Sequence, residues 1–137
     1  MKKLFFSLTV APIALVSCAP SPMEIKEGTA AEAAQKFFTA IKDKDFTAAV
    51  AVADVSDLPG VDLLGEEKLR EISANALKTA FGDYKFKDIY VTEEGPEADG
   101  KVEVTLWGDT ETEGQGKLAI NVKKINGKWL VDWSSVH

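Results

Sequence analysis

The segment KLAINVKKINGKWLVDWSSV, residues 117–136, contains two runs of alternating apolar and polar residues joined by Asn126-Gly127. Alternation with a period of two is typical of strands that bury one face. Asn-Gly strongly favours a two-residue hairpin turn, because both of its residues tolerate positive φ. In the second run Trp129 and Trp133 fall on one face and Asp132 on the other. The segment therefore predicts a β-hairpin at the C-terminal end of the chain.

The same alternation predicts two more strands upstream. Between Tyr84 and Thr92 apolar residues occupy alternate positions, but the alternation shifts by one residue around Asp88. A β-bulge allows such a shift. In the next run Trp107 falls on the face opposite Val104 and Leu106, which makes it the best candidate for an exposed contact residue. We expect an antiparallel meander of about four strands: Tyr84–Thr92, Lys101–Trp107, Lys117–Ile125 and Lys128–Val136.

Helical spacing of apolar residues dominates the first half of the chain. The pair Thr29 and Glu32 forms a capping-box pattern at the start of the first helix. Three helices are predicted: Ala30–Lys44, then Phe46–Ala53 capped by Asp45, then Glu66–Phe81 with Gly82 as its C′ residue. The predicted fold class is α+β, with three N-terminal helices packed on a curved antiparallel sheet.

This order of elements resembles the nuclear transport factor 2-like superfamily. Two short stretches add to the likeness, KDKDF at Lys42–Phe46 after the Phe37-Phe38 helix, and NGKWLVDW at Asn126–Trp133. More narrowly, the chain is similar to small bacterial lipoproteins of that superfamily whose function is unknown. The resemblance covers Thr29–Val136. It implies a fold, also described as cystatin-like, with a cone between the sheet and the helices.

The N-terminus predicts export and lipidation. Lys2 and Lys3 precede an apolar run, Leu4–Val16, which as a helix would span roughly 20 Å and is too short for a hydrocarbon core of roughly 30 Å. Residues 1–17 are therefore interpreted as a signal peptide. The sequence LVSC at residues 15–18 resembles the bacterial lipobox. That resemblance implies cleavage before Cys18 and a lipid anchor there, with fatty acyl chains such as palmitate.

The remainder of the chain divides into a tether and one domain. Residues 18–28 are predicted to be the lipidated cysteine and a flexible tether, because Ala19–Gly28 contains two prolines and few large apolar residues. Residues 29–137 suffice for a single α+β domain. Ala19 is not the aspartate associated with inner-membrane retention in enterobacterial lipoproteins. We therefore expect the cell envelope, and the periplasmic face of the outer membrane if the cell is Gram-negative.

Composition disfavours several kinds of partner. Loss of Lys2 and Lys3 from the 16 basic residues leaves 14 against 22 acidic ones, a net charge of about −8, which repels nucleic acid. Cys18 is the only cysteine, so no intramolecular disulfide can form. No cofactor or metal is expected. Asp109, Glu111 and Glu113 imitate a calcium loop, but Ile120 stands where the bidentate glutamate belongs.

Known enzymes of the superfamily include ketosteroid isomerase, scytalone dehydratase and limonene epoxide hydrolase, with acid and base groups in the cone. The only histidine here, His137, is the last residue, and the only arginine, Arg70, lies among glutamates. Dehydratase and epoxide hydrolase sites are therefore disfavoured. Asp132 with Tyr84 or Tyr90 remains as an isomerase-like or lyase-like combination.

The favoured hypothesis is a membrane-anchored, non-catalytic module that binds a protein partner, a second copy of itself through the sheet, or a small apolar ligand. The alternatives are an enzyme using Asp132 and a structural spacer or assembly subunit. The enzyme hypothesis predicts a deep pocket with Asp132 at its base. The binding-module hypothesis predicts a filled core and an exposed apolar patch on the sheet. The candidate pocket or interface residues are Tyr84, Tyr90, Trp107, Trp129, Asp132 and Trp133.

Overall fold

The computed structural model describes residues 19–56, 58, 60–111 and 114–135. The predicted signal peptide, Cys18, Glu113 and His137 lie outside the described residues. Among the described residues, no helix is long and apolar enough to span a membrane. The elements, in chain order, are α1 Ala30–Lys42, α2 Phe46–Ala51, β1 Ala53–Asp54, α3 Val61–Leu64, α4 Glu66–Phe81, β2 Phe86–Glu94, β3 Lys101–Thr110, β4 Gln115–Ile125, β5 Lys128–Asp132 and a 3₁₀ turn Trp133–Ser135.

The strands form one sheet in the order β1-β5-β4-β3-β2. The meander β2 to β5 is antiparallel, as predicted, and β1 adds a parallel strand beside β5. The prediction of three helices and about four strands was therefore incomplete, because it lacked α3 and β1. These elements have four and two residues, too few to show a period in the sequence.

The predicted hairpin and bulge are both present. Asn126 and Gly127 have φ of 54° and 79°, the two positive values that a type I′ turn requires. In β2 the pairing with β3 shifts register between Phe86 and Asp88, where the sequence changes parity. The last strand ends at Asp132, earlier than predicted, because the chain turns into the 3₁₀ turn.

The predicted N-caps are present on α1 and α2. Thr29 Oγ1 accepts from the Glu32 N–H at 3.3 Å, and Glu32 Oε1 accepts from the Gly28 N–H at 2.9 Å. Asp45 Oδ1 accepts from the Ala48 N–H at 3.1 Å. Each contact satisfies a backbone donor that the helix itself leaves free.

The C-terminal end of α4 differs from the prediction. Gly82 has φ of −61°, so it is not the left-handed C′ residue that the sequence suggested. Instead Lys44, which follows α1 with φ of 63°, donates from Nζ to the carbonyls of Phe81, Gly82 and Tyr84. A cation at this position complements the negative end of the helix dipole. The KDKDF motif therefore supplies Lys44 to α4 and the Asp45 cap to α2.

The space between α1 and the sheet is filled by side chains. Phe37 and Phe38 of α1 are buried, and their rings meet edge to face with centroids 5.1 Å apart. Opposite them, the inner face of the sheet contributes Val91, Val104, Leu106, Val122 and Val131, all fully buried. The packed core therefore occupies the place where the resemblance puts the cone.

The first part of the N-terminal segment, Ala19–Gly28, lies along the edge strand β2. Tyr90 Oη donates to the Pro20 carbonyl at 2.7 Å, and the Met23 N–H donates to the Val91 carbonyl at 2.9 Å. Met23 and Ile25 are half-buried and pack against the core. The folded unit therefore extends upstream of Thr29, into the residues predicted to be a flexible tether.

Candidate functional site

Asp132 does not lie in the cone. Its neighbour Val131 points into the core, and successive side chains of a strand point to opposite faces, so Asp132 lies on the outer face. It is nevertheless only 7% exposed. The enzyme alternative required Asp132 at the base of a deep pocket, whereas its position in β5 directs this side chain away from the core.

Asp132 instead joins a cluster with Asp54 and Lys123. Asp54 of β1 and Asp132 of β5 are register partners in the parallel pair. Lys123 Nζ on β4 lies 3.1 Å from Asp54 Oδ2 and 3.7 Å from Asp132 Oδ1. All three side chains are largely buried. One lysine thus links two carboxylates across three adjacent strands.

Each aspartate is also held by a serine two residues later. Asp54 Oδ1 accepts from the Ser56 N–H at 3.1 Å and from Ser56 Oγ at 2.6 Å. Asp132 Oδ1 accepts from the Ser134 N–H at 3.2 Å and from Ser134 Oγ at 2.8 Å. Burial alone raises the pKa of Asp54, but the Ser56 hydrogen bonds and Lys123 outweigh it, so the pKa is lowered. This arrangement stabilises the Asp54 carboxylate in its charged form.

Asp54 and Lys123 were not predicted from the sequence as site residues. The repeated pattern Asp-x-Ser, at Asp54–Ser56 and at Asp132–Ser134, was the available signal. Asp-x-Ser forms local side-chain turns in many contexts, so it does not predict a pairing of the two copies. The pairing arises from the parallel β1–β5 register.

The two tyrosines are not near Asp132. Tyr84 is buried two residues before β2, and its ring lies 5.6 and 5.9 Å, centroid to centroid, from the rings of Phe81 and Phe86. Tyr90 is half-buried on β2 and donates to Pro20. Strands β4 and β3 separate β5 from β2, which corresponds to about 14 Å at 4.8 Å per strand. The structure therefore does not bring together the isomerase-like combination of Asp132 with Tyr84 or Tyr90.

Trp107 lies on the outer face, as the parity predicted, but it is only 8% exposed. Its cross-strand neighbours, Tyr90 on β2 and Lys117 on β4, flank it on both sides. The prediction that Trp107 is an exposed contact residue is therefore wrong. The alternation of residues along a strand indicates on which face of the sheet a side chain lies, whereas its exposure depends on the neighbouring strands.

Trp129 and Trp133 both pack against the core and are half-buried. Lys124 Nζ lies 5.3 Å from the centroid of the Trp129 ring, a cation–π contact. Trp129 also borders a cavity of about 210 Å³ between the start of α1 and β5, together with Thr29, Glu32 and Lys36. Of the candidate pocket residues, Trp129 is thus one that does line a cavity.

A larger groove lies between α2 and α4. It has a volume of about 750 Å³, and its lining includes Val50 and Ala51 of α2, Leu64 of α3 and Ala74 of α4. Leu63 is 90% exposed and Leu64 50% exposed. Ile72 of α4 is 45% exposed. It lies one helical turn after Lys68, which also lines the groove. Among the described residues, the exposed large apolar side chains thus lie on α3 and α4 and not on the sheet, where the binding-module hypothesis predicted an apolar patch.

Arg70 lines this groove and links the two helices that form it. Its Nη1 donates to the Val50 carbonyl at 2.8 Å, and its Nη2 donates to Glu66 Oε2 at 2.9 Å. The ion pair with Glu66 lies within α4, and the contact with Val50 joins α4 to α2. In the part of the chain that the structure describes, no group of three or more His, Cys, Asp or Glu side chains is arranged to hold a metal ion.

The sequence matches no family profile and no curated protein. Among solved structures it is similar to a Campylobacter jejuni protein assigned to the nuclear transport factor 2-like transpeptidases, with a TM-score of 0.52 and 17% identity over 74% of this chain and 94% of that one. A SEC-C motif containing protein from Rhodopseudomonas palustris has a TM-score of 0.47 and 14% identity over 69% of this chain and 68% of that one. The first likeness shows a nuclear transport factor 2-like fold.

Proposed function

We propose that this chain is a lipid-anchored envelope protein whose domain is a non-catalytic binding module for another protein. The observation that carries the proposal is the contrast between a filled cone and an open helical groove beside exposed leucines. Among the described residues, α1 and the inner face of the sheet meet through fully buried side chains, which supports binding at the surface over catalysis in the cone. The groove, in contrast, is a surface of the kind that contacts a partner.

The anchor is inferred from the first 18 residues. A short apolar run after two lysines, followed by LVSC, is the pattern of an exported chain that receives lipid on cysteine. Several acyl chains, each methylene contributing about 0.8 kcal/mol when buried, would make the attachment long-lived. If the cell is Gram-negative, the proposed location is the periplasmic face of the outer membrane.

The chemistry of the groove indicates a protein segment with apolar anchor residues as its occupant. Leu64, Val50, Ala51 and Ala74 line the groove, and Leu63, which precedes Leu64 in the chain, is 90% exposed. Charged residues of both signs, including Glu67, Lys68 and Glu71, stand around these apolar residues. An apolar centre with a mixed polar rim is the usual composition of a protein interface.

The test uses the full chain in cells, with a photo-crosslinking amino acid placed at Leu63. The matched control places it at Glu97, an exposed residue of the β2–β3 loop. We expect a discrete crosslinked product at position 63 that is lost in the Cys18→Ser variant. The partner, once identified by mass spectrometry, is then titrated against the wild type and the Leu63→Ser/Leu64→Ser variant. At least a tenfold loss of affinity is expected in the variant.

Two results would contradict the proposal. Equal crosslinking at positions 63 and 97 would mean that the groove is not a specific surface. An intact mass of the membrane-extracted protein without added lipid, unchanged by Cys18→Ser, would remove the anchor.

A further inference from the structure

We propose that the domain sits on the membrane in one orientation, with the β2 edge of its sheet toward the lipid surface and its helical groove facing away. The inference rests on the proposed lipid anchor at Cys18. It adds a defined membrane-facing side, which a flexible tether would not provide.

The orientation follows from the docking of the N-terminal segment. Its hydrogen bonds with β2 attach Pro20 to Tyr90 and Met23 to Val91, so the chain is tied to the middle of β2. The half-buried side chains of Met23 and Ile25 add apolar contacts with the core. The point at which the domain is held is therefore on β2 and not at the start of α1.

The remaining free length is short. Cys18 precedes Pro20 by two residues, which reach at most about 7 Å. A free tether over Ala19–Gly28 would reach about 35 Å and would allow the domain to rotate in any direction. Because the acyl chains on Cys18 must lie in the bilayer, the β2 edge is kept within a few residues of the lipid headgroups.

The β2 edge is already closed to a further protein strand at its centre. Val91 uses both of its backbone groups, since its carbonyl accepts from Met23 and its N–H donates to Gln35 Oε1 at 3.0 Å. Gln35 Nε2 also donates to the Ile89 carbonyl at 3.1 Å. Further along, Glu94 Oε2 accepts from the Ala31 N–H at 2.9 Å. A lipid surface fits such an edge because it does not require free backbone groups there.

The groove lies toward the opposite side of the molecule. The sheet has β1 at its other edge, four strand spacings or about 19 Å from β2. Residue Val52, at the end of α2, accepts a backbone hydrogen bond from Val131 beside β1. Arg70 joins the first part of α4 to this region through Val50. The groove and the exposed Leu63 are therefore presented to the compartment and not to the lipid.

The experiment measures the distance of two labelled positions from the membrane in the acylated protein, reconstituted in phosphatidylethanolamine and phosphatidylglycerol vesicles. Asp88→Cys on β2 and Asp62→Cys on α3 are a matched pair, since both replace an exposed aspartate and both carry the same fluorophore. The acceptor is a fluorescent headgroup lipid. Lys87→Cys and Glu67→Cys serve as a second exposed pair if either of the first variants fails to fold. A control variant inserts ten Gly and Ser residues between Ala19 and Pro20, which keeps the docked contacts but lengthens the free chain.

We expect stronger energy transfer from position 88 than from position 62, and we expect the long insertion to abolish the difference. Equal transfer from both positions in vesicle-bound protein, or stronger transfer from position 62, would overturn the orientation and leave the lipid anchor standing. Absence of transfer from both positions, with no lipid in the intact mass, would overturn the proposed function and the orientation together.

Discussion

Asp54 and Asp132 lie side by side as register partners of a parallel strand pair, with Lys123 between their carboxylates. Two carboxylates held this close would repel each other without a cation. Lys123 supplies that cation from β4, and each serine two residues downstream supplies two hydrogen bonds. The cluster connects β1 to the rest of the sheet, since β1 has only two residues and pairs with β5 alone.

Replacement of Lys123 by methionine is expected to lower the free energy of unfolding by about 3 kcal/mol or more, because two buried carboxylates lose their shared counter-ion. The measurement is urea denaturation followed by tryptophan fluorescence. Lys101→Met is the matched control, since Lys101 is the exposed register partner of Lys123 on β3. Asp54→Asn/Asp132→Asn in the Lys123→Met background should recover part of the loss. Equal stability of the two methionine variants would show that the ion pairs are not needed.

Acid is expected to weaken the same cluster. The pKa of Asp54 is lowered in the folded protein, so its contribution is fully present above the unfolded value of about 3.9 and is lost as the pH falls through the folded value. Thermal unfolding should therefore show a steeper fall in stability below about pH 4 for the wild type than for Asp54→Asn. A parallel pH dependence in the two proteins would assign the acid sensitivity to other carboxylates.

Lys44→Ala is expected to destabilise the domain by about 1–3 kcal/mol, because three carbonyls at the end of α4 lose a charged donor. Lys42→Ala, at the last position of α1, provides the control for a lost lysine in the same motif. The readout is the midpoint of urea unfolding. A Lys44→Ala midpoint equal to that of Lys42→Ala would mean that the lysine contributes no capping.

Tyr90→Phe tests the docking of the N-terminal segment, and its effect should depend on alkaline pH. Burial raises the pKa of Tyr90, and the Asp88 and Asp109 carboxylates raise it further, so the hydroxyl remains a donor to Pro20 at neutral pH. The hydrogen bond is expected to contribute about 1 kcal/mol below a pH of about 10. This contribution should vanish as the pH rises through the folded pKa.

The measurement compares the unfolding free energies of wild-type and Tyr90→Phe protein at neutral pH and at increasing alkaline pH, with phenolate absorbance recorded in parallel. Tyr84→Phe controls for the other tyrosine. Stability that differs between wild type and Tyr90→Phe by the same amount at every pH would mean that the hydroxyl is not the group responsible.

The sequence by itself determined the α+β class, both N-caps, the hairpin and the bulge, because each depends on residues within a few positions of one another. Thr29 meets Glu32, Asp45 meets Ala48, and Asn126 meets Gly127 through local backbone geometry. The regular spacing of apolar residues in α1, α4 and the antiparallel strands is also a local feature of the sequence.

Only the tertiary structure decided what is exposed and which charges meet. Asp54 reaches Asp132 through a parallel pairing that joins distant parts of the chain. Trp107 is covered although its parity places it on the outer face, and Leu63 is exposed although it is apolar. Burial and ion pairing depend on residues that are distant in the sequence and are brought together by the fold. The local spacing of apolar residues carries no information about these neighbours.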